Sequence, residues 1–363
     1  MIDRRLFGQI DWFLIALLLF ISIFGVVVIY SSAHYLPGNY FLRQIFWIVA
    51  GLLILFVTLS LDYKILMNYS FYFYAFFLIV LAGLLFFAPA ISGTKGWIKL
   101  PYFQIQPSEL VKIIVILLLA QLFSEYKKGF LTWGMGLLSS GIVILPILLI
   151  GLEPDLGTAL SYIPLLLASL ILAGMNRKTL IFLLIFSILV SLVAWNFYLK
   201  DYQKKRLMTL VSPGQDPQHS GYHILQSKIA IGSGGLLGKG FKKGSQSQLR
   251  FLPARHTDFI FSVIGEEFGF VGVIGTLILY FLFLTRLFRS VNKSRDRAGV
   301  YIVFMVAMMI SFQFFINVLM IIGIFPIVGI PLPLMSYGGS SLLTNYLGVA
   351  LVLNVKMRRF VNI

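Results

Sequence analysis

Apolar runs of about 20 residues recur from one end of this sequence to the other, and each can cross the hydrocarbon of a bilayer as a helix. In hydrocarbon every backbone polar group must be bonded within the chain, so such a sequence is confined to an all-α membrane bundle. The runs lie near 11–30, 41–59, 71–87, 108–124, 131–150, 156–175, 180–197, 259–287, 298–325 and 340–353, which predicts ten spans in a single membrane domain. Only 12% of residues are charged, against about 25% in soluble proteins. The first run follows Arg5 almost at once and has no small-residue cleavage site after it, so it reads as a retained helix and not a signal peptide. There is no cysteine, which excludes disulfides and thiolate metal sites.

An even number of spans puts both termini on one side. Arg4, Arg5, Lys64, Lys127, Lys128, Arg177, Lys178, Arg286, Arg289, Lys293, Arg295, Arg297, Lys356, Arg358 and Arg359 fall on that side, while the short loops opposite hold only Arg43, Lys95 and Lys99. Cytoplasmic loops carry the basic excess, so both termini are expected in the cytoplasm. The net charge of +16 therefore sits in short clusters between apolar runs, a pattern for membrane orientation and not for nucleic acid.

Residues 198–258 are then a large extracytoplasmic loop. Within it, 212–217 (SPGQDP) is turn chemistry. Residues 222–231 form an amphipathic pattern, with Ile224, Leu225, Ile229 and Ile231 expected to face lipid. The glycine-rich run 232–240 reads as a flexible hinge. It is not a nucleotide-binding loop, because Ser233 stands where the first glycine should be and Gly240 follows Lys239 in place of Ser or Thr. The four histidines show no metal-ligand spacing.

Several polar groups sit where water-facing loops enter apolar runs. Arg255, His256 and Asp258 precede the run Phe259–Val263. Asp258 suits a helix cap and equally a general base, since partial burial raises a carboxylate pKa and a cation lowers it. Glu266 and Glu267 lie about two turns further in and are expected to cap or pair within the bundle. Glu109 and Lys112, three apart, share a helix face; they form either a structural ion pair or, with Lys112 reaching across a groove, an anion contact. Glu153 and Asp155 flank Pro154 in a tight turn and serve as a helix cap or as ligands to a divalent cation, Mg²⁺ or Mn²⁺. Trp97 between Lys95 and Lys99 is a headgroup anchor or a substrate contact. The prolines and glycines of 325–340 forbid a straight helix and predict a partly buried outer loop beside a cavity.

Five runs, KGWIKL (95–100), QPSELVK (106–112), EPDLGTAL (153–160), RHTDFIF (255–261) and PLPLMSYGGSS (331–341), occur in an order that resembles the SEDS family (shape, elongation, division and sporulation). The stretch QSQLRFLPARHTDF resembles its rod-elongation branch, with Ala254 where glutamate is frequent. The resemblance covers nearly the whole chain. It implies a peptidoglycan glycosyltransferase that polymerises lipid II, a class B penicillin-binding protein and other elongation-complex membrane proteins as partners, and Asp258 as the essential aspartate. Lys112, Glu109, Arg255, His256, Trp97, Lys95, Gln246 and Ser336 are the residues expected to bind substrate or stabilise charge. A lipid II flippase and a non-catalytic scaffold are the competing classes. A flippase predicts charges spread through the membrane depth, whereas here Asp258, Glu109, Lys112, Glu153 and Asp155 gather at the outer rim.

Overall fold

The computed structural model describes residues 8–90, 93–100, 103–126, 131–176, 178–179, 181, 185, 204, 208 and 220–360. Seven helices in it are long and apolar enough to cross a membrane. They are α1 (Trp12–Ala33), α2 (Tyr40–Ser60), α4 (Ser70–Phe87), α5 (Pro107–Glu125), α6 (Trp133–Leu152), α11 (Ile260–Val291) and α12 (Arg297–Ile321), and the protein is a multi-pass membrane protein. Between them lie α3 (Tyr63–Asn68), the hairpin β1 (Ile98–Lys99) and β2 (Gln104–Ile105), α7 (Leu156–Leu160), α8 (Ile163–Leu172), α9 (Ser220–Ser233) and α10 (Ser245–Gln248). The chain closes with α13 (Gly339–Met357) and a short 3₁₀ turn.

Two of the expected spans, the sixth and the tenth, differ. The sixth is split into α7 and α8. Asp155 caps α7 through Thr158 N (3.1 Å), and Pro164 opens α8 after the turn at Ser161–Tyr162. The seventh, near 180–197, lies outside the described residues apart from 181 and 185, as does much of the large loop. The tenth, α13, is not among the seven. It packs against α2, α5 and α12 and buries Asn345, Asn354 and Lys356, so its surroundings are protein and not lipid.

The eighth span, α11, is broken at Gly269 (φ 63°, ψ −157°), a conformation that side chains rarely adopt. The glycine-rich run fills the break. Lys239 N and Gly240 N donate to the carbonyls of Glu266 and Glu267, and Phe270 N and Val271 N donate to those of Gly235 and Leu236. Gly234 and Gly238 lie so close to the backbone of 265–268 that a Cβ on either would overlap it. The run is thus a docked insert and not a free hinge. Glu266 accepts from Lys239 Nζ (2.9 Å), Gln246 N (2.7 Å) and Ser247 N (3.0 Å). Glu267 accepts from Ser31 Oγ (2.6 Å) and Gln248 Nε2 (3.2 Å). Both carboxylates tie the loop to the bundle.

The amphipathic helix α9 departs in part from expectation. Leu225 and Ile229 are exposed, but Ile224 is buried, and Ser227 Oγ donates to Ile321 O (2.8 Å) and pairs with Ser262 Oγ. One face therefore packs on α11 and α12.

At the far end of the bundle Asp11 accepts from Arg286 (2.7 and 2.9 Å) and from Lys356, joining the start of α1 to the ends of α11 and α13. Burial opposes its charge, and the two cations outweigh that and hold its pKa at about 2. At the opposite end, 322–338 are irregular, as the prolines require. Gly25 on α1 lets the Met335 backbone lie against the helix.

Candidate active site

The irregular segment, the start of α5, the α6–α7 turn and residues 257–258 enclose a cavity of about 660 Å³, at the end of the bundle remote from Asp11. Asp258, Glu109 and Asp155 bring three carboxylates to its wall. A second cavity of about 830 Å³ adjoins it and shares Trp97, Thr257, Tyr337 and Gly338. This neighbour is cationic and apolar: Arg43 and Lys99 line it with Phe46, Trp47, Leu100 and Phe103.

Asp258 does not cap α11. The helix begins at Ile260 with Phe259 as its cap residue, so Asp258 stands one residue outside, half-buried, with its carboxylate on the cavity wall. Its backbone is strapped in place. Asn317 Nδ2 donates to the carbonyls of Asp258 (2.9 Å) and Ile330 (2.8 Å). Ser336 Oγ donates to Thr257 O (2.5 Å), and Tyr337 N donates to His256 O (2.9 Å). Gly329, at φ 73°, lies beside the Asp258 carboxylate; a Cβ there would stand 3.7 Å from Oδ2, so its positive φ and not space is what favours glycine.

The other expected residues divide between wall and support. Trp97 and Glu109 line the cavity; Lys112, Arg255, His256, Lys95, Gln246 and Ser336 do not. Lys112 is fully buried and donates to Glu109 Oε1 (2.7 Å), so the structural ion pair is what forms. Arg255 turns toward α1, where Nε donates to Ser32 O (2.6 Å) and the guanidinium lies 5.4 Å from the Tyr35 ring. His256 packs against Tyr40 (centroids 4.6 Å apart) and Tyr337. Burial, then the charge of Arg255, pushes its pKa down to about 4, so the imidazole is neutral near pH 7. Lys95 Nζ donates to Leu85 O. Gln246 serves Glu266 through its backbone N–H, and Ser336 fixes the loop.

Glu153 and Asp155 do not assemble a cation site. Asp155 accepts from Thr158 N, Thr158 Oγ1 (2.8 Å) and Gln106 Nε2 (2.7 Å), which occupies both its oxygens. Glu153 is wholly buried, and neither of its carboxyl oxygens has a hydrogen-bond partner among the described residues. Burial, then the charge of Asp155, pushes its pKa up to about 7. Among the described residues no three His, Cys, Asp or Glu side chains gather as ligands; a Glu153 whose charge burial opposes and an Asp155 already bonded to Thr158 and Gln106 are poor donors to a hard cation.

Arg43 and Tyr337 are the main residues that the motif reading passes over. Arg43 and Tyr337 both line the second cavity, and Tyr337 also borders the first. The signal was present: Arg43 is a lone charge just inside the outer end of the second apolar run, the same criterion that picks out Lys112.

A family model described as a cell cycle protein, covering FtsW, RodA and SpoVE, matches residues 11–360. The chain belongs to the FtsW/RodA/SpoVE family. Among similar members is the peptidoglycan glycosyltransferase MrdB of Escherichia coli strain K12, 35% identical over 97% of this chain and 94% of that one. The peptidoglycan glycosyltransferase RodA of Treponema pallidum is 32% identical over 97% of this chain and 98% of that one. A chain from a peptidoglycan synthase complex, described as coordinating polymerization and crosslinking, superposes with a TM-score of 0.85 at 32% identity, covering 97% of this chain and 99% of its own. The rod shape determining protein RodA of Thermus thermophilus superposes with a TM-score of 0.72 at 29% identity, covering 97% of this chain and 98% of its own. In this FtsW/RodA/SpoVE member the two cavities therefore belong to a RodA-like glycosyltransferase scaffold.

Proposed function

We propose that this chain, a peptidoglycan glycosyltransferase by family and fold, polymerises lipid II where the two cavities meet. One observation supports it: a carboxylate, Asp258, lines one cavity beside the shared Trp97–Thr257–Tyr337 border, and two cations, Arg43 and Lys99, line the other.

The chemistry needs that arrangement. Asp258 takes the proton from an acceptor sugar hydroxyl, and the freed oxygen pair attacks the anomeric carbon of the donor. The bond from that carbon to the diphosphate breaks, and the diphosphate leaves with the electron pair. Arg43 and Lys99 meet its charge, and Phe46, Trp47, Leu100 and Phe103 offer apolar surface to the polyprenyl end. Stabilising charge as it develops is commonly the largest part of catalysis. Glu109 is paired with Lys112 and Asp155 with Gln106 and Thr158. Neither is poised as a covalent nucleophile, which favours one displacement and inversion at the anomeric centre.

The cationic loops and the Asp11 cluster favour a cytoplasmic face at the end remote from the cavities, with both termini there and the cavities outside. A class B penicillin-binding protein is the proposed partner, since polymerised strands need crosslinking. Within the described spans the charged side chains sit near the two ends and not at mid-depth, which disfavours a flippase.

The test is lipid II polymerisation by the purified protein, with and without the partner, for the native chain and for Arg43→Ala. Arg43→Ala is expected to lower kcat/KM by roughly 10²-fold while the protein stays folded. Equal kcat/KM for both, or lipid II transport without polymer, would overturn the assignment.

A further inference from the structure

The insert at the Gly269 break ends in two leucines that nothing among the described residues covers. Leu236 is 73% and Leu237 is 80% exposed. They are neither disordered tips nor strained outliers. Leu236 O accepts from Val271 N and Gly235 O from Phe270 N, so the tip is fixed at the level of the break. Beside it Phe270 and Val271 are themselves exposed.

Depth follows from helix geometry. From Gly269 down to Arg286, the cation bonded to Asp11 at the inner end, the helix runs about 17 residues, or roughly 25 Å. A bilayer's hydrocarbon layer is about 30 Å thick. With the ion cluster at the inner boundary, the break lies a few ångströms inside the outer one. The leucines are thus at hydrocarbon depth. The side chains that follow turn polar: Lys239 bonds Glu266 (2.9 Å), and Lys242 Nζ stands 4.0 Å from the centre of the Tyr30 ring. Leucines at hydrocarbon depth followed by lysines is the order of a bilayer boundary.

We propose that residues 235–237 form a finger that inserts Leu236 and Leu237 into the outer leaflet of the bilayer, anchoring the large extracytoplasmic loop and the half-helix that leads to Asp258. The occupant of this apolar tip is phospholipid acyl chain. The anchor does not depend on the catalytic assignment of Asp258.

The chain has no cysteine, so one introduced cysteine takes a nitroxide label at one place. The full-length protein carrying Leu237→Cys would be reconstituted into vesicles of phosphatidylcholine and phosphatidylglycerol. Collision rates with oxygen, which concentrates in hydrocarbon, and with a water-soluble nickel chelate would be measured. Phe281→Cys, on the exposed flank of α11, is the hydrocarbon reference, and Pro37→Cys, in the exposed α1–α2 turn, the aqueous one. Expected is an oxygen-to-nickel ratio for Leu237→Cys near that of Phe281→Cys and several-fold above that of Pro37→Cys, with Leu236→Cys agreeing. A ratio equal to the aqueous reference would overturn the anchor, as would low collision rates with both reagents, which would mean a protein surface covers the tip. Leu237 makes no buried contact, so its replacement leaves the fold intact for the measurement.

Discussion

Glu153 shows how a residue's surroundings decide its role. Its sequence neighbours, Pro154 and Asp155, suggest a pair of charged ligands, but burial leaves its carboxyl group without partners among the described residues and pushes its pKa up to about 7. A raised carboxylate pKa gives stability that is present in full below the unfolded value near 4.5 and is lost as pH rises through about 7. The loss is on the order of 3 kcal/mol, since each pH unit between those two values corresponds to about 1.4 kcal/mol. Thermal unfolding of the native protein should therefore move to lower temperature between about pH 4.5 and 7. In Glu153→Gln that stretch of the profile should flatten, and the variant should unfold at higher temperature than the native chain at pH 8. An unchanged profile would mean that Glu153 is charged in the folded protein. Asp258 was readable as a candidate because it stands where polar sequence meets apolar. The supporting role of Arg255 was not readable, because only the fold shows that its guanidinium reaches Ser32 on α1.

At the scale of elements, the broken helix α11 is where sequence and structure part most. Residues 260–291 are apolar with little interruption, and nothing in their periodicity marks a break. The glycine-rich run was visible, but its partner lies some thirty residues away, and a hinge and a docked insert have the same composition. Glu266 and Glu267 look misplaced in a transmembrane helix until the break puts them against the loop. The helix needs glycine at 269 twice over: its φ is positive, and the Gly238 and Leu236 backbones occupy the space of a Cβ. Gly269→Ala should therefore lower the thermal midpoint, at a cost of at least about 1–3 kcal/mol for the backbone alone. It should also admit protease within 234–249 under conditions where the native loop resists. Native-like resistance in this variant would show that the insert does not depend on the break. The irregular segment 325–338 was readable, because three prolines leave little choice; that it straps residues 256–258 was not.

For the molecule as a whole, apolar run length predicted most of the bundle, and it failed where burial replaces lipid. Span α13 lies among other helices and needs no lipid-facing surface, so polar residues such as Asn354 are tolerated there. The bundle has two chemically distinct ends, an ion cluster around Asp11 and a pair of joined cavities around Asp258 and Arg43. Charged cavity walls gathered at one end suit the proposed polymerase better than a conduit across the membrane. The direct measurement is glycan strand formation from labelled lipid II by Asp258→Asn and by Arg255→Lys, each compared with the native chain at equal folded amounts in the presence of the partner. Loss of the base in Asp258→Asn should cost roughly 10²–10⁴-fold in rate, while Arg255→Lys, whose contacts are Ser32 and the Tyr35 ring and not the cavity, should lose activity no faster than it loses folded protein. Native-rate polymer from Asp258→Asn would contradict the assignment of Asp258 as the base.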